Sequence, residues 1–247
     1  MRPGIPSSAA LVILAAAANG YGMCHLNIDV PCAGVPQGIL ELALDHRFLG
    51  DAFEDPFGDF FGIDAGANVS LGLRYFVADG IDVGFSRTRA LKEYTAGASW
   101  SRVLGGPGIE ALVFAGYTTV EPVPDQDRED GFVSFVTFSA GPFGGKFIPV
   151  ACYAYDGRLD RNGPGFGLEV MVSERFSLTG EYFPVTDRSD GDLPEDAFSF
   201  GARYAAPGHQ FLLGFSNSPG IGIRGQLEGA ATNDLSVAFT VRRMFSL

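Results

Sequence analysis

From Ile63 to Tyr75 the chain alternates without a break, apolar at Ile63, Ala65, Ala67, Val69, Leu71, Leu73 and Tyr75, small or polar at Asp64, Gly66, Asn68, Ser70, Gly72 and Arg74. A period of two is that of a β-strand whose faces meet different environments. The run is longer than the roughly four to eight residues usual for a half-buried soluble strand. The same pattern, cut by turn residues, predicts strands over 38–48, 62–77, 80–91, 93–104, 108–119, 131–141, 145–155, 164–173, 176–184, 196–206, 209–216 and 233–245. Past the first twenty residues no helical periodicity persists, so the chain reads as nearly all β.

The connections between these strands alternate in character. The first ("LGDAFEDPFGDFF"), the fifth ("VEPVPDQDREDG"), the ninth ("VTDRSDGDLPED") and the last ("NSPGIGIRGQLEGAATN") are long, most of them acidic, while those at "ADG", "GGPG", "GPFGG", "SER" and "APG" are short. A Greek-key sandwich has no reason to sort its loops this way. An up-and-down transmembrane β-barrel does, with tight periplasmic turns at one rim and longer external loops at the other. The predicted fold is a single antiparallel barrel of about twelve strands, with both termini periplasmic.

Parity assigns the faces. Leu40, Leu42, Leu44, Leu71, Val83, Val113, Phe166 and Leu168 fall on the outward set. Glu41, Asp45, Arg47, Asp64, Asn68, Arg74, Asp82, Glu110, Glu169, Glu181, Arg203 and Arg242 fall on the other. A charge at the bilayer midplane costs ~2–4 kcal/mol, so these belong in a lumen. Strand order sets the first and last strands side by side, bringing Arg242 toward Glu41 or Asp45, and places Arg74 within reach of Asp82. The acidic majority predicts a lumen that prefers cations. Tyr75, Trp100, Tyr117, Tyr182 and Tyr204 sit near strand ends, where an aromatic girdle would lie.

Composition narrows the class. Of 247 residues 46% are hydrophobic and 19% charged, with 34 Gly and 22 Phe, as suits aromatic-rich strands and tight turns. A net charge of −12 with scattered Lys and Arg argues against nucleic acid as a partner. Residues 1–20 carry one Arg, an apolar run from Ala9 to Ala18 and a small-x-small Ala18-Asn19-Gly20 site, the pattern of a cleaved signal peptide. The run is too short for the ~20 residues of a spanning helix. Residues 21–37 then form a periplasmic leader and 38–247 the outer-membrane barrel. "GYGMC" is a poor lipoprotein site because Met23 precedes Cys24. Cys24 and Cys32 share this leader and form a candidate disulfide, and Cys152 reads as a small strand residue. Neither a metal pattern nor a haem-attachment motif occurs, and no cofactor is expected.

"DHRFLGD" at 45–51, "FFGIDAGANVSLGLRYFVADGIDVGFSRT" at 60–88, "GEYFPV" at 180–185, "GHQFLLGFSNSPG" at 208–220 and "VRRMFSL" at 241–247 together resemble the bacterial outer-membrane β-barrels of domain-of-unknown-function family 5777. The resemblance implies location and fold and brings no catalytic residues with it. The terminal stretch "DLSVAFTVRRMFSL", with Phe245 near its end, also resembles the signal read by the barrel assembly machinery, which joins outer-membrane lipids as an expected partner.

Three functions compete. About twelve strands leave room for a narrow solute channel, where eight would be filled by side chains. Alternatively the lumen charges pair and close the barrel, leaving a structural or docking role to the acidic external loops. A barrel-borne hydrolase needs a base beside an activated nucleophile, and the three histidines, His25, His46 and His209, come with no G-x-S-x-G or comparable mark. His46 is expected to bond a lumen carboxylate, and the chain is read as a non-enzyme. The solute is left open.

Overall fold

A computed structural model describes residues 25–105, 108–121, 129–186 and 195–247. Twelve strands follow one another: β1 (Ile39–Phe48), β2 (Ala67–Ala78), β3 (Ile81–Thr88), β4 (Glu93–Val103), β5 (Ile109–Val120), β6 (Asp130–Ala140), β7 (Phe147–Asp156), β8 (Arg161–Met171), β9 (Phe176–Phe183), β10 (Ala197–Ala206), β11 (His209–Ser216) and β12 (Ser236–Ser246). Each pairs antiparallel with its neighbours in sequence, and β1 pairs with β12, Ile39 opposite Ser246 and Ala43 opposite Arg242, to close the barrel. Closure leaves no unpaired strand edge, the condition for a sheet to lie in hydrocarbon. The residues expected as a signal peptide, Cys24 and the centres of the fifth and ninth connections lie outside the described residues.

The loop asymmetry is present. At one rim β2–β3 and β10–β11 turn through Asp79-Gly80 and Pro207-Gly208, while at the other β1–β2 and β11–β12 are joined by 49–66 and 217–235. Gly80 has a φ of +68°, and an added Cβ there would meet the Ser101 carbonyl oxygen at 2.4 Å, so this tight turn admits only glycine. Both ends of the barrel chain lie at the short-turn rim.

The faces follow parity. Leu71, Leu73, Val83, Phe85, Phe166 and Leu168 are exposed on the outer wall, as are Trp100, Tyr117, Tyr182 and Tyr204. Ser70, next to Leu71, is buried in the lumen and accepts from Thr88 Oγ1 at 3.2 Å. Leu71→Arg is expected to cost ~2–4 kcal/mol of membrane stability and shrink the heat-modifiable folded band, with Ser70→Arg nearly neutral. Equal damage from both would count against the assigned faces.

Two expectations need correction. The alternation at 63–76 overruns the strand: residues Ile63–Ala65 form a 3-10 turn between Gly62 (φ +73°) and Gly66 (φ +93°), and β2 begins at Ala67. Asp64 is therefore exposed on a loop and not in the lumen. The segment before β1, expected as a leader outside the barrel, runs inside it: Leu26, Ile28, Val30, Cys32 and Val35 are all buried.

The core accordingly lies within the barrel. Ile28 packs with inward Ile148, Val150, Cys152 and Ala154 of β7, with Phe183, and with Ile223 and Leu227 of the β11–β12 connection. Leu26 packs on Leu212 and Ala238, and nearer the short-turn rim Cys32 and Val35 pack on Ile39 and Phe76. An inner wall this apolar would be unstable against water and is stabilised by what it covers.

Candidate functional site

Two inserts fill much of the lumen, and the inward charges hold them. Glu181 on β9 accepts hydrogen bonds from Asn27 N–H at 3.0 and 3.1 Å, Asn27 Nδ2 at 3.2 Å, Ile28 N–H at 2.7 Å and the Ser199 hydroxyl. Opposite, fully buried Arg47 donates to the Leu26 carbonyl and, at 3.2 Å, to Asn27 Oδ1. Arg242 Nη2 reaches Asp29 Oδ1 at 3.3 Å. The N-terminal segment is thus clamped from three strands by carboxylate and guanidinium groups, whose charged hydrogen bonds are stronger than neutral ones.

Deeper in the lumen Arg74 forms a two-point contact with Asp82, Nε at 3.1 Å and Nη2 at 2.8 Å. Glu41 lies between two guanidinium groups, 3.5 Å from Arg74 Nη1 and 3.5 Å from Arg242 Nη1. Asp45 accepts from Thr240 Oγ1 at 2.7 Å. On the far wall Arg203 bonds Glu169 at 2.5 Å and Ser177 Oγ at 3.0 Å. Asn68 donates to the Pro219 carbonyl at 2.9 Å and accepts from Ala90 N–H at 3.0 Å, tying the β11–β12 connection to β2. Glu110 is half-buried on the inward face near the short-turn rim, and no ion pair joins it among the described residues.

The second insert is the β11–β12 connection, which folds inward and carries a short helix, α1 (Gly222–Gln226), with Ile223 and Gln226 buried. Its Arg224 bridges the barrel, Nη1 lying 3.0 Å from Asp156 Oδ2 at the end of β7 and Nη2 in contact with Glu93 on β4. Arg158 joins two connections at the long-loop rim, 2.8 Å from Glu129 and 3.1 Å from Glu228. Arg224, Asp156, Asp29 and the polar ends of Asn27 belong to this lumen network and were missed by the parity argument. Arg224 lay in a segment read only as a loop. In "CHLNIDV" the alternation of His25, Asn27 and Asp29 with Leu26, Ile28 and Val30 was the available sign of an extended segment buried on both sides.

Among the described residues, two neighbouring cavities lie in the lumen. At the long-loop rim a vestibule of about 470 Å³ is lined by Asn68, Arg89, Glu93, Arg158, Arg224 and Glu228. Below it a cavity of about 200 Å³ is lined by Asp29, Glu41, Asp45, Arg74, Asp82 and Arg242. Thr88, Glu93, Ile221 and Arg224 line both, so the Arg224 bridge is the partition between them.

Two histidines take different faces of the wall. His46 points outward and stacks on Phe239 at 4.7 Å, not on a lumen carboxylate, because it shares parity with Leu44 and Phe48. His25 is buried beside Gly167 and Ile28, with Nδ1 3.8 Å from Glu181. Cys32 is buried with its thiol 3.4 Å from the Val30 carbonyl; its candidate partner Cys24 lies outside the described residues.

A family model described as a membrane bound beta barrel domain, of unknown function, matches residues 32–104 and 157–245. Among solved structures the barrel is similar to a KdgM porin at 8% identity, covering 84% of this chain and 99% of that chain with a TM-score of 0.51. The KdgM porin in complex with disordered oligogalacturonate gives 9% identity, 83% and 99% coverage and a TM-score of 0.51. An outer membrane phospholipase A from Escherichia coli aligns at 10% identity over 94% of this chain and 97% of that chain, with a TM-score of 0.48. At these identities the likeness is one of fold. No curated protein matches the chain in sequence.

Proposed function

The chain belongs to the membrane bound beta barrel domain family DUF5777, and from that premise we propose that it is an outer-membrane protein of a Gram-negative bacterium forming a narrow, gated pathway for small polar solutes, closed in this state. The observation that carries the reading is a pair of neighbouring lumen cavities, each with charged residues in its lining, that meet at the Arg224 bridge to Glu93 and Asp156. Arg224 sits on a connection and not on a strand, so swinging it aside breaks no rung of the barrel ladder. The signal-like first twenty residues and the sorting of long from short loops support export, with the short turns, the start of β1 and the end of β12 on the periplasmic side. The terminal strand β12 would be read by the assembly machinery.

Planar bilayer recording tests this. The wild-type barrel should rest at low conductance, and Arg224→Ala should raise open time severalfold, while a salt-gradient reversal potential should show weak cation preference from the excess of lumen carboxylates. A clear anion preference would overturn the acidic pathway. A second reading has its own observation: the apolar clusters formed by the N-terminal segment make that segment a plug, so a barrel silent with Arg224→Ala and with the plug released is a closed structural or docking element.

A further inference from the structure

The β1–β2 connection does not stand away from the rim. It folds down over the outside of the barrel. Ala52 N–H donates to the Leu235 carbonyl at 2.7 Å, and the Phe53 ring packs on Phe215 with centroids 5.4 Å apart. At its tip Phe60 and Phe61 adopt φ of 51° and 59°, left-handed conformations that bulky residues rarely take. The base of the loop is pinched where Gly50 and Gly62 meet, since a Cβ on Gly62 would lie 2.4 Å from the Gly50 carbonyl oxygen. Strained backbone that persists at a surface is held there by its surroundings, and here it holds two phenylalanines over a sheet face.

Between this overhang and the wall runs a groove of about 660 Å³. Phe60, Phe61, Leu178, Phe200, Leu213 and Phe215 form its sides, and the small Ala202 lies on its floor. No charged side chain lines it. It extends from Phe215, at the long-loop end of β11, to Leu213 and Leu178, which flank Ala202 at the middle of β10, so it reaches from the long-loop rim into the apolar belt. Another barrel would need a flat wall to dock on, and the overhanging loop denies it one. A flexible apolar chain can enter from the side.

We propose that this groove binds one acyl chain of a zwitterionic phospholipid in the leaflet at the long-loop rim. The groove is continuous with the lipid-facing wall of a membrane-bound barrel, so acyl chains are what surround it. Asp51, Glu54, Asp55 and Asp59 on the same loop make its rim negative, which disfavours an anionic headgroup. The proposal is independent of whether the lumen conducts.

Native mass spectrometry of the full chain released from phosphatidylcholine nanodiscs reads it directly. One retained phosphatidylcholine per barrel is expected. Ala202→Trp fills the floor from the lipid side, where an aromatic is tolerated, and should cut the retained fraction roughly tenfold. The paired change Phe60→Ala with Phe61→Ala should do the same, and Val113→Trp on the opposite wall should not. In mixed discs of equal chain composition phosphatidylcholine should be retained over phosphatidylglycerol. No retained lipid in the wild type, or retention unchanged by Ala202→Trp, overturns the site. Preference for phosphatidylglycerol overturns the headgroup assignment, and a dimer mass abolished by Ala202→Trp gives the face to a second copy instead.

Discussion

Glu181→Ala is expected to release the N-terminal segment from the lumen and to turn Cys32 from an inert thiol into a reactive one. Glu181 is the acceptor for Asn27 N–H, Asn27 Nδ2 and Ile28 N–H, so its truncation leaves several donors buried with no partner. Removing one member of a buried charged network costs about 3–5 kcal/mol. The chain has an easier route than unfolding, because residues 25–35 form none of the twelve strands and can leave the closed ladder intact behind them. In a Cys24→Ser, Cys152→Ala background, a polar maleimide should label Cys32 on the order of a hundredfold faster once Glu181 is truncated, the kinetic counterpart of ~3 kcal/mol. Glu181→Gln keeps one carbonyl acceptor and should fall between. Single-channel current should rise in the same order. Labelling of Cys32 unchanged by Glu181→Ala would mean that apolar packing alone seats the segment and that the charges only follow it.

Most of the barrel was legible because outer and inner walls impose opposite chemistry on neighbouring residues. Leu71 and Ser70, Phe85 and Ser86, or Leu168 and Glu169 cannot exchange faces, so period, strand order and the Arg74–Asp82 and Arg242–Glu41 proximities all follow from counting. Counting failed where a left-handed glycine broke the period, as at Gly62 and Gly66, since the letters on either side still alternate. What occupies the lumen was not reached by this reasoning, because a strand reports which face is inward and not what meets it. One clue was present. In β7 both faces are apolar, with Phe147, Pro149 and Tyr153 outside and Ile148, Val150 and Cys152 inside. An apolar inner row in water demands a cover, and the chain supplies it from Ile28, Ile223 and Leu227. The Arg224 bridge left no such trace. Its partners Glu93 and Asp156 stand on strands remote in sequence and meet only because the last connection folds inward.

Arg203→Ala is expected to destabilise the barrel itself, in contrast to changes at the inserts. Arg203 on β10 reaches across β9, through Ser177 at 3.0 Å, to Glu169 on β8, and all three side chains are buried. The pair links three consecutive strands, so its loss cannot be relieved by expelling a movable segment. Truncating the guanidinium leaves the buried Glu169 carboxylate in a lumen wall whose Gly167 packs against His25 and Ile28, and breaking such a pair from one side costs about 3–5 kcal/mol. Urea unfolding in vesicles, followed by loss of the heat-modifiable band, should register that deficit at neutral pH. The joint replacement Arg203→Met with Glu169→Leu removes both charges while keeping volume and should recover most of the loss, since apolar substitutes for a buried ion pair are often neutral or better. Arg224→Ala, which severs only the bridge from a connection, should shift unfolding far less while changing conductance more. If the Arg203→Met, Glu169→Leu barrel were as unstable as Arg203→Ala, the contribution of Arg203 would lie in its bond to Ser177 and its packing, and the charge pair would be incidental to the wall.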